Sequence, residues 1–177
     1  MSKDAGSELA AEHGINVALR FKNERNLGCM DAAFLGRSIG TLNPPTPLCV
    51  REETRLCEVI DLLRAHKMGC ILITDDKGRL AGIFSERDLT LKVDIDQAGI
   101  TQQRVGEFMT VNPVTASFDM TIAYILNLMS QGGFRHIPIV DKDNLPVGMV
   151  SVKDIVDHMV STFMDDLLNF ELPPGFE

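Results

Sequence analysis

The chain has 177 residues, of which 45% are hydrophobic and 24% are charged, and its formal net charge is −8. These values are ordinary for a globular protein, and the negative charge disfavours a nucleic-acid surface, which needs clustered positive charge. The longest apolar runs are far shorter than the roughly 20 residues of a membrane helix. We therefore expect neither a nucleic-acid nor a membrane partner.

The cysteines and the start of the chain favour a cytoplasmic protein. No charged-then-apolar leader opens the sequence, which disfavours secretion. The four cysteines have no C-x-x-C spacing, so free thiols are favoured over disulfides or a zinc site. The four histidines are scattered, so we expect no metal site.

The first 35 residues read as an N-terminal extension. Apolar residues alternate over 15–21, which is typical of a strand, whereas residues 30–35 have a helical pattern. The sequence does not decide between the two for residues 14–36. The proline-rich stretch 43–47 is extended and leads into the first of two repeats.

The second half of the chain repeats the first half at an offset of 66 residues. Residues 47–88 align without a gap on residues 113–154, with eight identical pairs among 42. Two copies without a third indicate a pseudo-twofold pair rather than an open solenoid. We place the first repeat at 36–95, the second at 96–162 and a tail at 163–177.

Each repeat is predicted to fold as β-α-β-β-α, which gives an α+β class. A short apolar strand (48–50 or 114–116) precedes a helix with apolar residues at helical spacing. Glycines follow each helix, at Gly69 and at Gly132–Gly133, as helix C-termini favour. Two strands joined by a polar turn then form a hairpin, and a second helix begins at a serine. One unit of this size hides too little surface to be stable alone, so we expect the two repeats to share a core.

The hairpin of each repeat ends in the pattern G-h-h-S-x-x-D, where h is apolar. It places Ser85 and Asp88 three residues apart at a strand-to-helix junction, and Ser151 and Asp154 likewise. One interpretation is a helix cap, with the serine accepting a backbone N–H and the acid favoured by the helix dipole. The other is a ligand site, because a carboxylate accepts the two hydroxyls of a ribose, as it does in dinucleotide-binding folds.

The order of elements and the two G-h-h-S-x-x-D endings resemble a tandem pair of CBS domains (named after cystathionine β-synthase), also called a Bateman module. The segment 136–141, H-I-P-I-V-D, is close to the usual second strand. The resemblance implies an adenosine-containing ligand (AMP, ADP, ATP or S-adenosylmethionine) in clefts between the repeats. It also implies a homodimer and the regulation of an unknown effector protein.

The family's roles carry over unequally to the two repeats. Asp154 and Asp88 match the ribose-binding acid, and Ser151 and Ser85 match the hydroxyl that assists it. Lys153 and Arg87 precede the acids, and Arg135 and His136 match phosphate contacts, whereas their repeat-one counterparts are the uncharged Gly69 and Cys70. We expect the Asp154 site to bind a phosphorylated nucleotide and the Asp88 site to be weaker, empty or occupied by a less charged ligand. The expected lining on the far side of the Asp154 site is Ile39, Thr41, Leu48, Met68, Gly69 and Cys70.

Three function classes remain open on the sequence alone. The first is a stand-alone sensor of an adenosine-containing ligand that signals to a partner. The second is a ligand-free interaction scaffold in which the serine–aspartate pairs act only as caps. An enzyme is disfavoured, because no phosphate loop, metal cluster or nucleophile–base pair has a recognisable spacing. We expect no catalytic residues and no cofactor beyond a regulatory ligand.

Overall fold

The computed structural model describes residues 32–94 and 96–168, without the side chains of residues 163 and 165–168. The described helices are α1 (Ala32–Leu35), α2 (Leu56–His66), α3 (Glu86–Lys92), α4 (Ile122–Gly132) and α5 (Val152–Leu168), with 3-10 turns at Ile39–Leu42, Ile100–Gln102 and Val105–Glu107. The described strands are β1 (Cys49–Arg51), β2 (Cys70–Thr74), β3 (Leu80–Ser85), β4 (Thr110–Val111), β5 (His136–Val140) and β6 (Pro146–Ser151).

The repeat in the sequence is reproduced in the structure. Helix α4 lies 66 positions after α2, and β5 and β6 lie 66 positions after β2 and β3, with identical lengths. The order β-α-β-β-α is therefore confirmed for repeat one, and the α+β class for the chain. In repeat two the first strand is reduced to a single parallel bridge, Ala116↔Ile139. That bridge is the image of the Val50↔Ile73 pair that joins β1 to β2, so the topology is kept although the predicted strand 114–116 is not.

Two compact units can be distinguished. The first contains the described residues 32–43, Phe118–Arg135 and 151–168, and the second contains Pro44–Ser117 and His136–Val150. The first unit is helical: α1 contacts α4, α4 contacts α5, and α5 contacts the 3-10 turn Ile39–Leu42. Its interior includes Ile39, Ile122 and Ile125, none of which is accessible to solvent.

The second unit contains the described sheets. Strand β1 is parallel to β2, and β2–β3 and β3–β4 are antiparallel, which gives the order β1-β2-β3-β4; β5 and β6 form a separate pair. Every residue of β2 is buried, as expected for a strand covered on both faces. The core of this unit consists of Leu56, Val59, Leu63, Ile71, Ile73, Phe84, Val93, Ile100, Val105 and Phe108.

Residues 37–42 and 103–108, near the start of the first and the second repeat, each form hydrogen bonds with the other repeat; we call them the leader segments. In the first unit, Ile39 N donates to Met120 O at 2.8 Å, and in the second unit Val105 N donates to Thr54 O at 2.9 Å. These two bonds are images of each other at the offset of 66. The other matched pairs are Gly40 N to Phe118 O with Gly106 N to Glu52 O, and Ile122 N to Arg37 O with Leu56 N to Gln103 O.

The helix ends can be compared with the glycines of the sequence. Helix α2 ends at His66, and its C-cap is Lys67, whose φ of 51° is left-handed, so Gly69 lies near the helix end but is not its cap. Helix α4 ends at Gly133 with φ 66°, as predicted. Residues 32–35 are helical, in agreement with the helical pattern of 30–35, whereas the alternating segment 15–21 lies outside the described residues.

Candidate functional site: two serine–aspartate junctions

Both serine–aspartate pairs form helix caps, as one of the two interpretations predicted. In repeat one, Asp88 Oδ2 accepts from Ser85 N at 2.9 Å and from Ser85 Oγ at 2.6 Å. In repeat two, Asp154 Oδ2 accepts from Ser151 N at 2.7 Å and from Ser151 Oγ at 2.6 Å. Each aspartate N–H also donates to its serine hydroxyl, at 3.3 Å and 3.2 Å. The two Oδ2 atoms are therefore equivalent, and each already accepts two hydrogen bonds.

The two Oδ1 atoms differ. Asp88 Oδ1 lies 2.7 Å from Lys92 Nζ and accepts from Thr110 Oγ1 at 3.1 Å, and Lys92 Nζ also donates to Thr110 Oγ1 at 3.0 Å. We call these three residues the Lys92 clamp. An ionised carboxylate has about four lone-pair sites, and protein donors fill all four at Asp88. The carboxylate is also buried, with only 11% of its side chain exposed.

The clamp keeps Asp88 ionised. Burial alone raises the pKa of Asp88, but the hydrogen bonds from Lys92 and Ser85 and the positive charge of Lys92 outweigh it, so the pKa lies below its usual range. Lys92 is four residues after Asp88 on α3, where side chains on one helix face meet. Thr110 comes from β4, which pairs with β3.

Asp154 Oδ1 has no hydrogen-bond or ion-pair partner among the residues that the structure describes. The position of Lys92 is taken in repeat two by His158, whose ring stacks on Phe34 with a centroid distance of 5.9 Å. The Nε2 atom of His158 is buried without a hydrogen-bond partner among the described residues. In the sequence, the counterpart of Thr110 at the offset of 66 is Pro44, whose side chain has no hydrogen-bond donor. Oδ1 of the half-buried Asp154 therefore keeps two acceptor sites with respect to the described residues.

Basic residues flank Asp154 in the sequence and at the start of α5. Val152 N, at the start of α5, donates to Arg135 O at 3.1 Å. Arg135 follows the end of α4 and is exposed. Lys153 is exposed and pairs with Asp157. The hydrogen bond and charge of Asp157 raise the pKa of Lys153, so its ammonium is retained at neutral pH.

The remaining predicted residues have different environments. In the second unit, a Cβ placed on Gly69 would lie 3.2 Å from His136 Cε1, so the imidazole packs directly on the glycine backbone. Cys70 is fully buried, and its Sγ lies 3.2 Å from Met149 Sδ. The side chain of Ile39 is fully buried, those of Leu48 and Met68 are half-buried, and Thr41 and Arg87 are exposed.

Sequence reasoning missed Lys92 and Thr110. The spacing of Asp88 and Lys92 was a usable signal, because i,i+4 pairs of opposite charge meet on a helix. Thr110 lies 22 residues beyond Asp88, and no local pattern links the two. In the described part of the chain, no group of three or more His, Cys, Asp and Glu residues could hold a metal. None of the described helices is both long and apolar enough to cross a bilayer.

Comparison with known proteins decides the family. The family described as "CBS domain" matches residues 39–94 and again residues 105–161, which together make up more than half of the chain. The protein belongs to the CBS domain family. Among its CBS relatives, the Arabidopsis thaliana protein CBSCBSPB5 is 33% identical over 105 residues, which are 59% of this chain and 19% of the relative. Inosine-5'-monophosphate dehydrogenase of Helicobacter pylori is 31% identical over 117 residues, which are 66% of this chain and 23% of the relative.

These two relatives are much longer than the matched region, which spans about a fifth of each. Solved CBS structures are closer in size. The CBS protein ATU1752 of Agrobacterium tumefaciens is 30% identical, with a TM-score of 0.62 over 68% of this chain and 98% of that one. The cytosolic domain of the Mg²⁺ channel MgtE, solved in complex with ATP, is 30% identical, with a TM-score of 0.56 over 72% of this chain and 50% of that one. CBSX2, solved in complex with AMP, has a TM-score of 0.63 at 24% identity over 72% of this chain and 98% of that one.

Proposed function

We propose that this CBS pair is a regulatory module that binds an adenosine-containing ligand (AMP, ADP, ATP or S-adenosylmethionine) at the Asp154 junction. The observation that carries the proposal is the unused acceptor capacity of Asp154 Oδ1. Vicinal ribose hydroxyls supply two donors, and an ionised carboxylate oxygen with unused lone pairs can accept from hydroxyls. Oδ2 is meanwhile anchored by Ser151, so the carboxylate is oriented before a ligand arrives.

The surroundings of Asp154 favour a phosphorylated ligand. Arg135 and Lys153 add positive charges to a chain whose net charge is −8, so the attraction for phosphate is local. Two structural neighbours support an adenine nucleotide, since the MgtE cytosolic domain was solved with ATP and CBSX2 with AMP. We propose no catalytic step for this module.

Signalling needs a partner, which we propose is a second copy of this chain, a separate effector protein or both. Helix α5 carries exposed apolar residues at intervals of four, Val156, Val160 and Met164, which are 43%, 51% and 48% exposed. Exposed apolar residues that recur on one helix face are typical of an interaction surface.

The proposal is tested by thermal melting with AMP, ADP, ATP and S-adenosylmethionine. A ligand at 100 times its Kd stabilises the fold by about 2.7 kcal/mol, which raises Tm by roughly 5–10 °C for a chain of this size. Asp154→Ala removes charge-assisted hydrogen bonds of about 1.5–3 kcal/mol each and should weaken binding about 10- to 100-fold.

The control for Asp154→Ala is Asp143→Ala, which removes an exposed carboxylate from the β5–β6 turn. Asp154→Ala also removes a helix cap worth about 1 kcal/mol, which lowers Tm without any ligand. The quantity compared between the variants is therefore the rise in Tm that the ligand causes. If none of the four ligands raises Tm, the sensor is rejected in favour of the scaffold. If Asp154→Ala keeps the full ligand-induced rise, the placement of the site is rejected.

A further inference from the structure

We propose that Lys92 is a built-in occupant of the repeat-one junction, which closes Asp88 to ligand and limits the module to one adenosine-containing ligand per chain. This inference rests on the proposed function, because it concerns how many of the two similar junctions bind. The two G-h-h-S-x-x-D patterns are alike, and the sequence separates the junctions only by the charges expected around them. The Lys92 clamp adds a difference at the aspartates themselves.

Protein donors occupy all the acceptor sites of the Asp88 carboxylate. Its Oδ2 accepts from Ser85 N and Oγ, and its Oδ1 interacts with Lys92 Nζ and Thr110 Oγ1. A ribose diol can bind there only after it replaces two of these donors. Replacing the Ser85 donors breaks the helix cap, so the donors to be displaced are those of Lys92 and Thr110.

Displacing Lys92 from Asp88 is unfavourable for a ligand. Its ammonium makes a charge-assisted bond to a carboxylate that is 11% exposed, and such bonds are stronger than those from a neutral hydroxyl. Lys92 is tethered four residues from Asp88 on the same helix, so it competes at a high effective concentration. In repeat two the residue at the position of Lys92 is His158. Its ring is stacked on Phe34, so this competitor is missing.

Lys92 can be replaced without a change to the apolar core. The Lys92 side chain is 38% exposed, so it lies at the surface and not in the core. Lys92→Met keeps an unbranched apolar stem of similar reach and removes the ammonium. Asp88 Oδ1 then keeps only the Thr110 hydroxyl, which can rotate to accept a bond as well as donate one. The junction then resembles that of Asp154.

The experiment counts bound ligand per chain by equilibrium dialysis with AMP, ATP and S-adenosylmethionine as separate probes. We expect one site in the wild type, no site in Asp154→Asn, two sites in Lys92→Met, and one site in the Lys92→Met/Asp154→Asn double variant. Lys92→Arg is the matched control, because it keeps a cation four residues from Asp88 and should remain at one site. Lys92→Leu, which likewise has no hydrogen-bond donor, is the second variant if Lys92→Met does not fold, as judged by circular dichroism.

The outcomes separate this inference from the proposed function. If wild type and Lys92→Met both bind none of the probes, the proposed function fails and the inference fails with it. If the wild type binds one ligand and Lys92→Met also binds one, the function stands and the inference is overturned. Two sites in the wild type overturn it as well. If Lys92→Met loses binding, Lys92 is a ligand contact, and the assignment of a closing role is wrong.

Discussion

At the scale of single residues, the two aspartates share a motif but not a chemical state. Each is oriented by its serine through two bonds to Oδ2. What separates them is the other oxygen, which has two protein donors at Asp88 and none among the described residues at Asp154. A buried carboxylate that is fully hydrogen-bonded contributes to stability, whereas one with free acceptors is available to a ligand.

A pH dependence of stability follows from the state of Asp88. Its pKa in the folded protein lies below its usual range, whereas in the unfolded chain it returns to about 3.9. Between the two values the unfolded state binds more protons, so the free energy of unfolding rises with pH. The contribution of Asp88 is complete above the unfolded pKa and is lost as pH falls through the folded pKa.

We therefore expect the stability difference between wild type and Asp88→Asn to be largest above about pH 5 and to shrink as the solution is acidified. Urea unfolding at a series of pH values measures it. Asp96→Asn, at an exposed position, is the control and should follow the wild-type profile. A difference between wild type and Asp88→Asn that stays constant down to about pH 2 would contradict the assigned ion pair with Lys92.

At the scale of elements, the exchange of the leader segments explains why two positions outside the aligned region 47–88 are glycine. Gly40 and Gly106 are images at the offset of 66, and each donates its N–H across to the other repeat. A Cβ would lie 3.3 Å from Phe118 O at Gly40 and 3.2 Å from Glu52 O at Gly106. Both contacts involve a backbone oxygen, which cannot move aside as the end of a flexible side chain can.

Gly106→Val should consequently lower the free energy of unfolding by roughly 1–3 kcal/mol, the usual cost of overpacking. The added branches would push residues 103–108 away from the turn before α2 and strain the bond from Gly106 N to Glu52 O. Chemical denaturation measures the change. Ala98→Val introduces the same side chain at an exposed position and should be close to neutral. Equal effects of the two variants would argue against the close approach.

At the scale of the whole molecule, neither repeat is self-contained. Ile100, Val105 and Phe108 belong to the start of the second repeat, yet they lie in the core around α2 and β2. Burying each such side chain contributes about 1.5–3 kcal/mol. A small domain is only marginally stable, so these residues decide whether the first repeat folds.

Two fragments test this dependence. A fragment of residues 44–94 lacks the second leader segment, and we expect it to show no cooperative thermal transition. A fragment of residues 44–117 retains the ten-residue core cluster of the second unit and should unfold cooperatively, as followed by circular dichroism. The idea of shared cores is rejected if the shorter fragment melts cooperatively at the same temperature as the longer one.

Much of the fold was predictable because the information is local. Periodic apolar residues set the helices, the β-branched runs and polar turns set the hairpins, and the offset of 66 placed the second set once the first was known. The first strand of repeat two was not predictable in this way, since Val114 is 45% exposed and only Ala116 forms a bridge. Strand β4 depends on pairing with β3, and its two residues carry no strand pattern of their own.

The sequence by itself determined the family, the duplicated architecture and the positions of the two serine–aspartate junctions, because each depends on residues that are close in the chain. The sequence also predicted two unequal sites, from the uncharged Gly69 and Cys70. Only the tertiary structure decided that protein donors occupy the acceptors of Asp88. The donors that occupy Asp88 include Thr110, which reaches it through the pairing of β4 with β3. Hydrogen bonding to a carboxylate is set by distances of about 3 Å between atoms, and the spacing of residues along the chain does not fix those distances.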